Sequence, residues 1–355
     1  RARAILMKAV SDGGWGPAVP GKRYELGDQG EGVAALRHRL GKLGYTAASE
    51  TEATSFDVAL DQAVRDFQTA NGLTVDGIAG PVTLGEVNRT PAERLGSVLV
   101  ALERERWLPR DLGERYVEVN IPAFTARLKE HEETIFETRA VTGKNRSTHR
   151  TPEFSDEMEY MVVNPTWNVP RSITTREYLP KLQQNPAAVG HLTLINRQGQ
   201  TIDRATVDFA SFTASNFPYR LKQQPGTRNA LGRVKFMFPN RYNIYLHDTP
   251  QKALFARESR AFSHGCIRLA DPQDFAVALL TPQSDTPASL FQRKLDAGRE
   301  SRITLESKLP VHLIYRTARV TPDGRIVFRR DVYGRDAKIL AALIDAGVPA
   351  GSGES

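Results

Sequence analysis

The chain contains 355 residues, of which 48 are basic and 41 are acidic, so its formal net charge is +7. Its length exceeds the roughly 100–200 residues of one domain, its composition is ordinary for a globular protein, and no run approaches the ~18 apolar residues of a membrane span. The charges are interspersed, which argues against a nucleic-acid stripe and leaves an anionic polymer as the alternative to a merely solvated surface.

The first 22 residues predict a loose lead-in that belongs to a larger scaffold. Asp12-Gly13-Gly14 and the stretch from Pro17 to Gly21 are typical of turns. The sequence starts at Arg1 without a basic and then apolar leader. We therefore expect any secretion signal or membrane anchor to lie outside these residues.

Residues 23–90 predict a small domain of three helices. Apolar side chains three and four positions apart mark the first two helices, and they are Val33, Leu36, Leu40 and Leu43, then Phe56, Leu60, Val64 and Phe67. Gly44 and Asn71-Gly72 end these helices, and a third begins near Val82.

The order of core and turn residues in this segment is more specific than its periodicity. The series Leu-Gly-x-x-Gly-x-x-Val-x-x-Leu, Leu-Gly-Tyr and Ala-Val-x-x-Phe-Gln-x-x-Asn-Gly-Leu-x-x-Asp-Gly resembles the peptidoglycan-binding domain of many wall hydrolases. The resemblance covers Leu26 to Asn88. Between Ala47 and Ser55 the sequence departs from the family pattern, because the loop is longer and polar. A helical domain that only supports the rest of the chain is the alternative.

Residues 91–113 predict a connecting helix with Leu95, Val98, Leu102 and Trp107 on one apolar stripe, which puts Trp107 in a core. The apolar period then changes to two, as in strands. The predicted strands are 116–121, 124–128, 134–141, 160–163, 233–238, 244–246, 311–316 and 325–328, the last two joined by Pro322-Asp323-Gly324. Residues 114–320 therefore predict a mainly-β domain, and residues 321–355 a hairpin, a helix over Ala337–Asp345 and a disordered tail from Gly347.

Residues 177–224 interrupt the strand pattern. The segment is helix-like near Tyr178 to Gln184, with Pro180 and Pro186, and then polar and irregular. An insertion of this length is too long for a simple connection inside a β domain, so it predicts a lid or cap.

The chemistry points to the only cysteine, Cys266, which lies in Ser263-His264-Gly265-Cys266-Ile267-Arg268 and follows His247 by 19 positions. A lone cysteine excludes an intrachain disulfide and a multi-cysteine zinc site. A thiolate is a strong nucleophile, and a nearby imidazole can accept the thiol proton and return it to a leaving amine. Gly265 allows backbone N–H groups to approach a carbonyl oxygen, as an oxyanion hole requires.

Two other interpretations of this group stay open at the level of residues. Cys266 can be a small buried hydrophobe, and His247, His264 and Cys266 can form a metal site, which lacks a fourth ligand. The remaining histidines stand apart in sequence and predict surface or structural roles; those singled out are His131, His149, His191 and His312.

The segments His-Asp-Thr-Pro and Ser-His-Gly-Cys-Ile-Arg-Leu resemble the YkuD signature of L,D-transpeptidases, and Phe-Pro-Asn-Arg-Tyr-Asn-Ile-Tyr-Leu-His-Asp-Thr-Pro resembles the large YcbB-type periplasmic enzymes. The resemblance covers roughly Tyr116 to Thr317. It implies a multidomain protein of α and β parts, in which a small three-helix peptidoglycan-binding domain accompanies a mainly-β catalytic domain with an inserted helical and irregular lid. Asp248 stands where the family often has glycine or serine, which leaves open what orients His247; a backbone carbonyl is one candidate.

The resemblance also implies roles for individual residues. Cys266 is the expected nucleophile, His247 the general base and acid, and the backbone of Gly265 and Cys266 the oxyanion hole. His264 is expected to support the thiolate or the substrate, although it and His247 can exchange roles. The expected substrate contacts are Tyr245, Ser263, Arg268, Trp167 and Asn229; Arg268 would hold a carboxylate unless it forms a surface ion pair, and Trp167 would line a groove unless it is core.

The implied reaction transfers an acyl group from a tetrapeptide stem to Cys266, releases D-alanine and forms a 3→3 cross-link with a second stem, without a metal or organic cofactor. The expected partners are donor and acceptor stem peptides, carbapenem inhibitors and other wall synthases, with no nucleic acid. The expected location is the periplasm, with an inner-membrane anchor outside this sequence. The alternatives are an L,D-carboxypeptidase, a lipoprotein-anchoring transpeptidase and a non-catalytic wall-binding scaffold.

Overall fold

The computed structural model describes residues 1–45, 53–321 and 324–349. Its helices are α1 (Ala2–Ser11), α2 (Glu31–Lys42), α3 (Val58–Asn71), α4 (Pro81–Val87), α5 (Pro91–Trp107), α6 (Arg171–Ile173), α7 (Leu179–Gln184), α8 (Pro272–Leu280), α9 (Pro287–Asp296) and α10 (Asp336–Asp345). A π-helical turn, Thr174–Tyr178, joins α6 to α7. None of the helices in the described ranges is both long and apolar enough to cross a membrane.

The strands are β1 (Arg115–Asn120), β2 (Thr125–Glu130), β3 (Glu133–Gly143), β4 (Phe154–Val163), β5 (Trp167–Asn168), β6 (Thr193–Ile195), β7 (Arg220–Gln223), β8 (Val234–Met237), β9 (Leu246–His247), β10 (Ala261–Ser263), β11 (Ile267–Leu269), β12 (Ser301–Ile314), β13 (Ala318–Val320) and β14 (Ile326–Phe328). The chain divides into two compact units. The first comprises residues 1–112, 120–123 and the segment from 314 onward, and the second comprises residues 113–119 and 124–313.

Helices α2, α3 and α4 form the three-helix domain predicted for residues 23–90. Their apolar faces share one core, whose buried members include Val33, Leu36, Leu40, Leu60, Val64, Phe67 and Val87. The Asp57 carboxylate accepts a hydrogen bond from Leu60 N–H at 2.8 Å and caps α3, and Gly72 ends that helix in the left-handed region at φ 67°. The departure at Ala47 to Ser55 lies mostly outside the described residues, which omit 46–52.

The prediction of a loose lead-in was wrong for Ala2–Ser11, which form helix α1. Leu6 is 2% exposed and packs with Leu95 and Leu99 of α5, and this tertiary burial stabilises a ten-residue helix that is too short to be stable in isolation. Helix α5 was predicted correctly, and Thr90 and Glu93 form its capping box. Its apolar stripe is narrower than predicted, because Trp107 is 56% exposed and lies outside any core.

The C-terminal hairpin was predicted with the wrong partner. Strand β14 pairs with β13, in the register Ala318 opposite Phe328, rather than with 311–316. The hairpin and α10 belong to the first unit with α5, and the second unit ends at Leu313, within the predicted domain of residues 114–320. The turn residues Pro322 and Asp323 and the end of the tail, 350–355, lie outside the described residues.

The second unit is built on a nine-stranded sheet in the order β10-β3-β11-β9-β8-β4-β12-β1-β2. Because β2 also pairs with β3, the sheet closes on itself around an apolar core that includes Phe236, Leu246 and Ile267. The mainly-β prediction for this region is confirmed. The sequence pattern missed α8 and α9, whose buried residues Phe275 and Phe291 pack into the same core.

The insertion is a small folded body of its own. Strands β5, β6 and β7 form a three-stranded sheet, and α7 supplies Leu179 and Leu182 to a core shared with Phe209 and Phe217. The predicted helix near Tyr178 to Gln184 is therefore confirmed. The prediction that the rest of the insertion is irregular was wrong, because it contains strands β6 and β7. The core of this body also takes in Trp167 and Leu231, so it extends beyond the predicted bounds of 177–224.

Candidate active site

The turn that carries Cys266 connects β10 to β11 and is held by hydrogen bonds from two hydroxyl groups, those of Ser263 and Thr151. Ser263 Oγ donates a hydrogen bond to the Cys266 carbonyl at 2.5 Å and accepts one from Gly265 N–H at 3.0 Å. The buried hydroxyl of Thr151 donates to the Gly265 carbonyl at 2.7 Å. Gly265 has φ 122°, which residues with a Cβ rarely adopt, so glycine is needed here. These contacts fix the backbone on both sides of the thiol.

The thiol of Cys266 faces Tyr245. Strands β9 and β11 run parallel, with Ile267 beside Leu246, which sets Cys266 next to Tyr245. The Ile267 N–H donates to the Tyr245 carbonyl at 3.1 Å. Burial raises the pKa of Cys266 to about 11, although hydrogen bonds from Tyr245 and the charge of Arg268 act in the opposite direction. The resting residue is therefore a neutral thiol at neutral pH.

His247 lies on the same sheet face as Tyr245, with the two ring centroids 5.6 Å apart. The imidazole is 5% exposed, and its Nδ1 is 2.5 Å from the carbonyl oxygen of Asp248. A carbonyl only accepts, so Nδ1 carries the proton and Nε2 is left as the base. Burial, with the nearby charge of Arg268, lowers the pKa of His247 to about 3, so the ring is neutral. The group that orients the His247 ring is thus the backbone carbonyl of Asp248.

The carboxylate of Asp248 holds the strand end that supplies this carbonyl. It is 6% exposed and accepts from the N–H groups of Arg233 and Thr249 at 2.8 and 2.7 Å, and from Lys252 Nζ at 2.8 Å. A Cβ at Gly232 would approach Asp248 Oδ2 to 2.2 Å. The acidic residue that departs from the family pattern therefore positions backbone and does not touch the imidazole ring through its carboxylate.

The prediction of an oxyanion hole from two amides needs a correction. The Gly265 N–H is already hydrogen-bonded to Ser263 Oγ, so it is not free for a substrate oxygen in this state. The Cys266 N–H has no hydrogen-bond partner in the part of the chain that the structure describes. One of the two expected donors is available.

Arg268 lies two residues beyond the thiol and next to His247 in the register of β9 and β11. One terminal nitrogen donates to Gln251 Oε1 at 2.6 Å, and the buried Nε has no partner. No carboxylate forms an ion pair with Arg268 within the described ranges, so the surface ion pair considered as its alternative is not what the fold contains. Burial lowers the pKa of this guanidinium, and the Cys266 thiolate form raises it.

Three of the expected substrate contacts are interior residues instead. Ser263 is 2% exposed and has both hydrogen bonds of its hydroxyl inside the turn. Asn229 is 1% exposed, and its amide donates to the carbonyls of Pro165 and Gln224. Trp167 is a core residue of the insertion and packs edge-on against Tyr178. For Trp167 this is the core position given as its alternative, and substrate contacts by Ser263 and Asn229 stay predictions.

His264 points into a second group of side chains. Its Nε2 lies 2.5 Å from Glu177 Oε1, and its ring centroid is 4.6 Å from that of His149. The prediction that His149 stands apart was wrong, because the loop between β3 and β4 brings it here. His312 is a structural histidine, as predicted, with Nδ1 2.7 Å from Ser155 Oγ, and His131 and His191 are exposed.

Sequence reasoning missed Thr151, Glu177 and His149. Each reaches the turn that carries Cys266 from a distant segment, and none carried a local motif that could have marked it. Among the described residues, His149, Glu177 and His264 also form the group of histidines and acids compact enough to hold a metal ion.

Two segments of the chain match known domain families. Residues 114–286 match YkuD, the "L,D-transpeptidase catalytic domain", and residues 29–86 match PG_binding_1, the "Putative peptidoglycan binding domain". A protein of Haemophilus influenzae named "Putative L,D-transpeptidase" is 34% identical over 229 residues, which are 64% of this chain and 46% of that protein. The chain therefore spans about half the length of this relative.

Solved structures of low similarity were also found. An L,D-transpeptidase (Yku) of Stackebrandtia nassauensis is 14% identical, over 84% of this chain and 97% of that one, with a TM-score of 0.31. An L,D-transpeptidase of Xylanimonas cellulosilytica is 15% identical, over 84% and 100%, with a TM-score of 0.24. Scores of this size carry no argument. The two domain matches show that residues 114–286 belong to the YkuD family of L,D-transpeptidase catalytic domains and residues 29–86 to a family of peptidoglycan-binding domains.

Proposed function

We propose that this protein forms 3→3 cross-links in peptidoglycan by acyl transfer through Cys266. The observation that carries the proposal is the pairing of β9 with β11. It places the Cys266 thiol beside Tyr245, and the nearby His247 has its Nδ1 hydrogen-bonded to the Asp248 carbonyl. A thiol, a neutral imidazole of defined tautomer and a backbone N–H are the groups that acyl transfer through sulfur requires.

In the first step Cys266 Sγ attacks the carbonyl carbon of the bond between the third and fourth residues of a donor tetrapeptide. His247 Nε2 accepts the thiol proton and delivers it to the leaving amine of D-alanine, so the C–N bond breaks as the C–S bond forms. The Cys266 N–H would stabilise the negative oxygen of the tetrahedral intermediate. The product is a thioester on Cys266.

In the second step the side-chain amine of an acceptor stem, proposed to be diaminopimelate, attacks the thioester. The amine loses its proton to His247, the C–S bond breaks, and the proton returns to the thiolate. The chemistry requires no metal or organic cofactor at the thiol.

The resting pair is uncharged, because burial raises the pKa of Cys266 to about 11 and lowers that of His247 to about 3. Proton transfer from the thiol to the imidazole therefore has to be coupled to attack on the substrate. The Arg268 guanidinium, which lacks a carboxylate partner within the described ranges, is the proposed contact for a carboxylate of the donor stem.

The wall is the proposed partner of both domains, and the peptidoglycan-binding family of residues 29–86 supports this. We also propose the periplasm as the location, an inner-membrane anchor outside this sequence, and other wall synthases as partners. Carbapenems are proposed inhibitors, because a strained β-lactam carbonyl acylates an activated thiol.

Water as the acceptor would make the enzyme an L,D-carboxypeptidase, and a lipoprotein lysine would make it an anchoring enzyme. A scaffold with a vestigial site is a candidate of another class. The intact thiol, imidazole and brace of the turn favour catalysis, since a binding protein does not need them.

Incubation with a disaccharide-tetrapeptide, followed by mass spectrometry of the products, tests the proposal. We expect a cross-linked dimer and free D-alanine from the wild type and neither from Cys266→Ala. Disaccharide-tripeptide without dimer would identify the carboxypeptidase. Equal inactivity of the two folded proteins would support the scaffold.

A further inference from the structure

We propose that His149, Glu177 and His264 bind a divalent transition-metal ion of the zinc type. One nitrogen of each imidazole and one carboxylate oxygen lie within 4.8 Å of one another. The three side chains are half-buried, so an ion can reach them from solvent and keep a water ligand. Nothing in the acyl-transfer chemistry uses this set as a unit.

The donor set fits zinc. Two imidazoles and one carboxylate, with an open position for water, are a known zinc ligand set, with metal–ligand distances of about 2.0–2.2 Å. His264 Nε2 and Glu177 Oε1 are joined by a hydrogen bond of 2.5 Å. An ion bound to Nε2 takes the place of the proton in that hydrogen bond, and the imidazole then carries its proton on Nδ1.

A hydrogen bond alone accounts for His264 and Glu177 but not for His149. The His149 ring lies 4.6 Å from the His264 ring at an angle of 41°, and no hydrogen bond joins the two rings. Its Nδ1 is 2.8 Å from Thr148 Oγ1, which leaves Nε2 as the ligand atom, because a hydrogen bond at the other ring nitrogen commonly orients a metal-bound histidine. The positive charges of Lys144 and Arg146 act on His149 and repel a cation. The binding energy from the three ligands therefore has to exceed this repulsion.

The three ligands come from three separate segments of the second unit. His149 lies between β3 and β4, Glu177 lies in the π-helical turn of the insertion, and His264 lies in the turn of Cys266. Pro180 follows the π-helical turn and lacks the N–H that a regular α-helix would use here, and such turns are frequent at functional sites. A bound ion would tie the insertion to the nucleophile turn, two residues from the thiol.

Calorimetric titration of Zn²⁺ into the full chain tests this site. Cys266→Ala is the parent protein, because the thiol would otherwise compete for the metal. We expect one Zn²⁺ per chain, and an affinity reduced by about tenfold or more in His149→Ala and in Glu177→Gln. His191→Ala is the matched control, since it removes an exposed histidine of the insertion.

Two results would overturn the site: no stoichiometric binding in Cys266→Ala, or the same affinity in His149→Ala as in His191→Ala. Co²⁺ added in place of Zn²⁺ should give visible absorption bands that His149→Ala loses. Melting curves without metal establish that the variants are folded. These readouts do not involve turnover, so the site stands or fails separately from the proposed transpeptidase activity.

Discussion

At the scale of single residues, burial determines the state of the proposed catalytic pair. His247 is buried and Cys266 is half-buried, and desolvation disfavours the charged form of each. The same burial fixes the imidazole, because Nδ1 is hydrogen-bonded to the Asp248 carbonyl. The site is therefore organised before substrate arrives but is not ionised.

The pH dependence of Cys266 alkylation should reveal this neutral state. Burial raises the thiol pKa to about 11, so the thiolate fraction should rise roughly tenfold per pH unit well below that value. We expect the iodoacetamide rate to increase throughout the range from about pH 6 to 9. Because the chain has one cysteine, labelling reports Cys266 alone, and Cys266→Ala is the blank. A rate that levels off near neutral pH would indicate a thiolate–imidazolium pair instead.

Replacement of Arg268 by lysine should weaken recognition of the donor. Lysine keeps the positive charge but loses the planar fork and the buried Nε. We expect kcat/KM for the tetrapeptide to fall about 10- to 100-fold, a loss of about 1.4–2.8 kcal/mol. Alkylation of Cys266 by neutral iodoacetamide should change much less.

Arg299→Lys is the control for Arg268→Lys, since Arg299 is an exposed arginine of the same unit. An unchanged kcat/KM in Arg268→Lys would remove Arg268 from the substrate site.

At the scale of elements, the turn between β10 and β11 depends on one buried hydroxyl. Ser263→Ala leaves Gly265 N–H and the Cys266 carbonyl without their partner. Buried groups left unpaired cost about 1–3 kcal/mol, and we expect that loss in the free energy of unfolding of the catalytic domain. Urea-dependent alkylation of Cys266 measures it locally.

Ser172→Ala removes an exposed hydroxyl in α6 and should leave that free energy unchanged. Equal stability of the two serine variants would mean that the brace is energetically unimportant.

The elements also explain how far the sequence could be interpreted. Helices α2 to α5 were predictable because their apolar faces repeat at three and four residues and their ends carry capping residues. Helix α8 was missed because a short, mostly apolar segment such as Phe275 to Leu280 does not distinguish helix from strand. Helix α9 has Phe291 and Leu295 four positions apart, a helical spacing that the sequence interpretation overlooked. The insertion was interpreted as irregular because its core joins residues far apart, from Trp167 to Leu231.

The candidate site likewise contains residues that the sequence could identify and residues that it could not. Cys266 and His247 stand in recognisable motifs, and the structure brings their strands together. The type of a residue does not reveal its burial, so the sequence could not show that Ser263, Asn229 and Trp167 are interior residues. The position of His149 depends on tertiary structure alone and had no signal in the sequence.

At the scale of the whole molecule, the chain combines two family domains that both concern the wall. Binding and catalysis should then be separable. We expect the full chain to co-sediment with purified sacculi, Cys266→Ala to bind equally, and a deletion of Leu26 to Asn88 to bind much less. The buried residues of that segment form a core separate from the one that joins α1 to α5, but Leu43 packs against both, so the deletion also removes the Leu43 contact from the latter.

Two observations bear on this prediction. Alkylation of Cys266 in urea shows whether the catalytic domain of the deletion variant is still folded. Undiminished sedimentation of a folded deletion variant would contradict a wall-binding role for residues 26–88.

The central claim is that Cys266 is the acylated nucleophile, and intact-protein mass spectrometry after incubation with a carbapenem tests it most directly. The account predicts one covalent adduct on the wild type, located on the peptide that contains Cys266, and no adduct on Cys266→Ala. An adduct on both proteins would place the reactive group elsewhere. A wild type that stays unmodified and also fails to turn over the tetrapeptide would contradict the acyl-transfer mechanism.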